Sequence, residues 1–168
     1  MQSSHPVTES EHLTLADRIE SLKAGSLGSI ASVFAFFTIA VLHHFAQQVL
    51  PQLPLINSFA LGNPFILFVK LGMIGFSGFL FAVTYRYIVR RDRNSHLKSG
   101  AILAFAFIHG FGAIDHDLPN LSLLPLTQIA FAIAISLLEN VAWLAIVQSI
   151  LETAIHHQWI SAFSSAKD

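Results

Sequence analysis

Ionisable side chains are scarce in this chain, so the few that fall inside apolar stretches are where its chemistry would reside. Glu139, followed by Asn140, stands midway through the last apolar stretch, and His109 stands midway through the one before it. A charge placed in hydrocarbon costs roughly 2.5–3.5 kcal/mol on insertion scales, so each needs a partner. Two stretches joined by a short connection fold as antiparallel neighbours. The expectation is therefore a Glu139–His109 hydrogen bond, either as a lock between two helices or as a proton relay or ligand site. Lys70 lies within the second stretch, one or two turns from its outer end. It either snorkels to the far interface or offers Glu139 a second partner.

A second group gathers near one membrane face. His43 and His44 lie near the outer end of the first stretch, and His116 near that of the third, between Asp115 and Asp117. Counted from Gly25 and Gly100, the three histidines fall at similar depth. Imidazole and carboxylate together suit zinc, iron or nickel. A histidine can also ligate haem or chlorophyll axially. The spacing is diagnostic of none of these, and interfacial histidines without a ligand are the plainer alternative, so no cofactor is required. His156 and His157 belong to the opposite face.

Several chemistries are absent from the sequence. There is no cysteine, which removes disulfides, thiolate metal sites and cysteine nucleophiles. There is no Walker motif, no His-Glu-x-x-His, no Gly-x-Ser-x-Gly and no dinucleotide fingerprint. The net charge of -1 gives no reason to expect nucleic acid. An enzyme is not expected.

The elements that must position these residues follow from composition. The chain has 168 residues, 54% hydrophobic and 11% charged. Soluble domains carry roughly 25% charged residues, and a soluble fold this poor in charge could not cover its surface. Four apolar stretches run over about 25–50, 64–89, 100–114 and 124–155. A bilayer core needs about 20 helical residues. Three stretches exceed this, and the third spans only if it extends to Leu97 and Leu118. The fold class is all-α: a polytopic membrane protein of about four transmembrane helices, arranged as two hairpins.

Residues 1–14 read as a disordered polar tail without a cleavable signal, and 159–168 as a C-terminal tail. Between them lies one transmembrane domain, 15–158. Leu15, Ile19 and Leu22 recur at helical spacing among charged residues. They read as a short interfacial helix before the first span, or as the start of that span.

Basic residues set the expected orientation. Arg86, Arg90, Arg91, Arg93 and Lys98 flank the middle connection, and Arg18 and Lys23 precede the first span. The connections at 51–63 and 115–123 contain no Lys or Arg. The positive-inside rule then puts both termini and the middle loop on the cytoplasmic side of an inner or thylakoid membrane. With Tyr85 and Tyr87 at headgroup depth, the basic loop is expected to attract anionic lipid or an acidic partner protein, or simply to fix topology.

Gly72, Gly75 and Gly78 recur every three residues on the second span, and Gly25/Ser29 and Gly28/Ser32 are small pairs on the first. Such residues let membrane helices approach closely, within one molecule or across a homodimer. Leu22-Lys23-Ala24-Gly25 and Leu97-Lys98-Ser99-Gly100 lie 75 positions apart. This spacing suggests a duplicated hairpin or shared features of helix starts.

The segment Tyr85-Arg86-Tyr87-Ile88-Val89-Arg90-Arg91-Asp92-Arg93-Asn94-Ser95-His96-Leu97-Lys98-Ser99-Gly100 resembles the middle loop of uncharacterised multi-span proteins of cyanobacteria and plastids. The opening from Ala16 to Gly28 is similar to the same group. The resemblance implies a photosynthetic membrane and brings no defined activity, so no functional residue is carried over. Three functions are expected. The first is a non-enzymatic protein that assists assembly, anchoring or stability of membrane complexes, with the bilayer and other membrane proteins as partners. The second is a small oligomeric carrier or channel coupled through Glu139. The third is a haem- or pigment-binding protein.

Overall fold

A computed structural model describes residues 15–51, 55–59, 61–88 and 95–161. It is all-helical: α1 (Leu15–Val49), α2 (Pro64–Ile88), α3 (Ser95–Leu121) and α4 (Leu126–His156), with a short 3-10 turn at Asn57–Phe59 between α1 and α2. The four helices have 35, 25, 27 and 31 residues. At about 1.5 Å per residue each exceeds the roughly 30 Å of a hydrocarbon core. All four are long and apolar enough to cross a membrane.

The third stretch is longer than its apolar residues alone indicate. Asp115, His116 and Asp117 continue the helix instead of ending it, and Pro119 sits within its last turn. Polar residues do not break a helix; they only leave the apolar window. Residues 15–23 are the first turns of an unbroken α1, the second of the two expected readings, and form no separate helix. Asn63 caps α2 by accepting a hydrogen bond from the Phe65 backbone N–H at 2.8 Å, and Pro64 fills the first helical position, which needs no donor.

α1 is the central helix and packs on both α2 and α4, while α3 packs chiefly on α4. The α1–α2 seam is built from small residues. A Cβ added to Gly28 would strike Ala82 Cβ and the Gly78 carbonyl, and one added to Gly78 would strike Ser32 and the Gly28 carbonyl. The backbones therefore touch, and serine hydroxyls bridge them. Ser29 Oγ donates to Gly75 O at 2.8 Å and Ser32 Oγ to Ile74 O at 2.9 Å. Below this seam Phe36, Phe81, Leu144 and Val147 are fully buried. The outer surface is apolar too: Phe68 is 76% and Phe76 64% exposed. That pattern suits hydrocarbon rather than water as the surrounding solvent.

The glycine triad divides. Gly78 is spent on α1, Gly75 meets only Val33 at 3.9 Å, and Gly72 opens onto space. The 75-residue correspondence is partial as well. Ala31 and Ala106 are both buried, whereas Phe36 is buried and Phe111 is 55% exposed.

Gly28→Val should destabilise the bundle by roughly 1–3 kcal/mol, because the α1–α2 backbones must separate. Gly72→Ala should change stability by less than about 0.5 kcal/mol. Thermal unfolding in mild detergent checks the contrast.

Candidate functional site

Among the described residues three polar assemblies lie within the bundle, two of them locks and one lining a cavity. The first is at the end where α1 and α3 start and α2 and α4 finish. Arg86, only 2% exposed, donates from Nη1 to Asp17 O at 2.9 Å and to Ser21 Oγ at 2.6 Å. Its Nε donates to Ser161 O at 2.8 Å, and its Nη2 lies 3.4 Å from Asp17 Oδ1. The chain after α4 reverses through Gln158, at φ 59°, so that Ile160 packs on Ala24 and the Ser161 N–H reaches Glu20 Oε2 at 3.0 Å. Residues 159–161, expected in a tail, are thus part of the packed structure. Beside them Glu152 Oε1 accepts from Tyr85 OH at 2.6 Å, Lys98 Nζ at 2.9 Å and Gln148 Nε2 at 3.1 Å.

Three of the seven residues expected to dock a partner or lipid, Tyr85, Arg86 and Lys98, belong to this internal lock. Tyr85 and Arg86 are buried, and Lys98 is engaged by Glu152. Burying a guanidinium is costly, and the four hydrogen bonds that Arg86 makes to Asp17, Ser21 and Ser161 offset that cost. Tyr87 is exposed and lies 3.5 Å from Ser21 Oγ. Arg90, Arg91 and Arg93 lie outside the described residues.

The second assembly corrects the expected pairing of Glu139. Its partner is His43, Nδ1 to Oε1 at 2.7 Å, and Gln47 Nε2 lies 3.1 Å from His43 Nε2. If the Gln47 amide donates to Nε2, the proton sits on Nδ1 and is donated to the carboxylate. Glu139 Oε2 is buried without a partner among the described residues. His109 instead meets Ser77 Oγ at 2.7 Å and stands edge-on to Trp143, ring centroids 4.9 Å apart. Adjacent positions on a helix point about 100° apart. On α4, Asn140 turns toward α3, where Gly110 lies beside its amide, whereas Glu139 turns to α1; Trp143 stands between them, edge-on to His109 and donating to Ser32 O of α1. Depth was legible from the sequence, but azimuth was not.

The expected outer cluster separates for the same reason. His43 is buried, whereas neighbouring His44 is exposed, with Gln48 Nε2 at 3.1 Å. Asp115 and His116 are exposed and Asp117 half-buried. Among the described residues no three His, Asp or Glu side chains gather as a metal site would require.

The third assembly lines a cavity of about 800 Å³ between α2 and α3. These two helices touch little, so a cleft opens between them toward the surrounding lipid. Phe65, Ile66, Val69 and Met73 form one wall, and Ile108, His109, Gly112 and Ala113 the other. Asn140 and Trp143 of α4 form the floor. Ser58 and Phe59 of the 3-10 turn close the outer end, where Lys70 Nζ donates to Ser58 O at 3.1 Å. Lys70 is thus held by the turn and not by Glu139. His116 and Asp117 reach the same cavity. The sequence singled out five of these residues, Lys70, His109, Asn140, His116 and Asp117, without showing that they share a space. Ser58, Trp143 and Gly112 carried no signal by which to join them.

His43→Ala should cost on the order of 3 kcal/mol, because it strands a buried carboxylate. Glu139→Gln should keep most of the stability, since its amide oxygen still accepts from His43. His109→Ala should cost roughly 1 kcal/mol, the net worth of one neutral hydrogen bond. Denaturation midpoints in detergent give the ranking; a larger loss for His109→Ala than for His43→Ala would restore the Glu139–His109 pairing.

No family model, no curated protein and no solved structure matches the chain, so the reading of its site rests on its own geometry.

Proposed function

We propose that the chain is a non-enzymatic integral membrane protein that works as a rigid four-helix scaffold, assisting the assembly, anchoring or stability of other membrane complexes. The observation that carries this reading is the Arg86 lock. One buried guanidinium ties the start of α1, the end of α2 and the segment after α4 to one another, and Glu152 joins α2, α3 and α4 beside it. A protein that rocked its helices to pass a solute would have to break both networks in each cycle. The exposed apolar faces of α2, around Phe68, Gly72 and Phe76, are available to lipid and to partner helices.

The start of α1, at Asp17 and Glu20, and Ser161 after α4 meet at the locked end. With the basic middle loop they support the orientation in which termini and loop face the cytoplasmic side. The resemblance of residues 85–100 to plastid and cyanobacterial proteins supports an inner or thylakoid membrane as its home.

A second reading is a small oligomeric carrier or channel coupled through Glu139. It is favoured by one observation, the buried Glu139 Oε2 that no described residue satisfies. Under it, Glu139→Gln abolishes activity at normal abundance.

The scaffold reading is tested by affinity capture from native membranes. Arg91→Gln with Arg93→Gln leaves Arg86, Arg90 and Lys98 to hold the topology. This variant should insert normally and lose its co-purifying membrane proteins. Unchanged partners and unchanged growth would contradict the scaffold reading and shift the balance to the carrier. Reporters fused at residue 95 and at the C-terminus should lie on one, cytoplasmic, side; opposite sides would overturn the four-span topology.

A further inference from the structure

The cleft between α2 and α3 holds polar valences that neither the locks nor the bilayer uses. Asn140 is 97% buried by its 3% exposure, and its amide N–H donates to Ser136 O at 2.8 Å. Its Oδ1 accepts no hydrogen bond from the described residues. His109 spends one ring nitrogen on Ser77, and the other has no partner among the described residues. Where the Ser77 hydroxyl donates to Nε2, the free Nδ1 carries a proton. In that tautomer a hydrogen-bond donor, His109, stands at the wall and an acceptor, Asn140 Oδ1, at the floor of an apolar cavity. Further out, Ser58 lines the cavity too, its Oγ buried and without a partner among the described residues.

Hydrocarbon cannot satisfy these groups, and each left open costs free energy. Lys70 and Ser77 are seven residues apart on α2, so the deep pair lies about 10 Å below the Lys70 level along the helix. A phospholipid keeps its phosphate and esters near the interface and would lay only acyl chain against His109 and Asn140. The deep groups call for a molecule that carries oxygen atoms to that depth itself. The cavity volume of about 800 Å³ admits a substituted ring with part of an apolar tail. Trp143 offers it an aromatic wall, Met73 a pliable one, and the lateral opening gives the tail an exit into lipid.

We propose that this cleft binds a neutral, lipid-soluble ring compound bearing carbonyl or hydroxyl oxygens, of the quinone class. A carbonyl oxygen accepts from His109 Nδ1–H; in the reduced ligand, a hydroxyl donates to Asn140 Oδ1. The site therefore serves both oxidation states without a protein redox group. It does not depend on whether partner complexes dock on the outside of the bundle.

The chain's two tryptophans make the test direct. Trp159→Phe leaves Trp143, in the cavity floor, as the sole reporter. This variant, in phosphatidylcholine nanodiscs, is titrated with a decyl-substituted benzoquinone, and tryptophan quenching is followed. Saturable quenching is expected. His109→Phe, which keeps an aromatic ring beside Trp143, should weaken binding about tenfold. Gly112→Leu should abolish it. A Cβ at Gly112 meets open space, so this substitution fills the cleft without disturbing the bundle. Linear, non-saturating quenching would overturn the proposal. So would saturable quenching indifferent to Gly112→Leu, or a native mass spectrum showing phospholipid in the cleft that the quinone fails to displace.

Discussion

Ser32 is the point on which the bundle turns. It is fully buried, its hydroxyl donates to Ile74 O of α2, and its own carbonyl accepts from Trp143 Nε1 of α4 at 3.0 Å. One small residue thus joins three helices. In hydrocarbon the apolar surfaces of helices have no reason to prefer each other over lipid, so association depends on close packing and interhelical hydrogen bonds. Each such bond is worth roughly 0.6–2 kcal/mol. Ser32 contributes both effects, because its size lets Gly28 and Gly78 meet at backbone contact. A larger side chain here would separate α1 from α2 and pull Trp143 off its acceptor.

From that junction the two ends of the bundle diverge in character. Toward the chain termini, α2 is drawn against α1 and α4 by Arg86 and Tyr85, and Lys98 fastens α3 to Glu152. Toward the opposite end nothing comparable among the described residues pulls α2 to α3. Lys70 turns to the 3-10 turn, His109 bridges to Ser77 once, and the two helices part around the cavity. The bundle is closed by polar networks at one end and cleft at the other.

The sequence disclosed one-dimensional facts and hid angular ones. The all-helical class and four apolar spans follow from runs of apolar residues, which periodicity and length report directly. The mid-helix positions of Glu139 and His109 were legible in the same way. Their failure to meet was not, because it depends on the azimuth at which α4 presents consecutive residues to α1 and α3. Arg86 shows the same limit. As one of five basic residues around a connection it reads as a surface charge, and only the return of Ser161 to α1 makes it an internal clamp. Gly28 and Gly78 were visible as small residues, but that they select each other, leaving Gly72 to the surface, is a property of packing.

The central claim is that polar locks hold the bundle in one arrangement, with the α2–α3 cleft permanently open. Because the chain has no cysteine, two can be introduced cleanly at Ile66 and Ile108, exposed residues on opposite walls of the cleft. Spin labels at these positions in lipid bilayers report the cleft width by dipolar spectroscopy. The account predicts one narrow distance distribution, unchanged on Glu139→Gln and between acidic and neutral pH. Two populations whose ratio shifts with pH or with that substitution would contradict it, and would make the His43–Glu139 pair the switch of a moving protein.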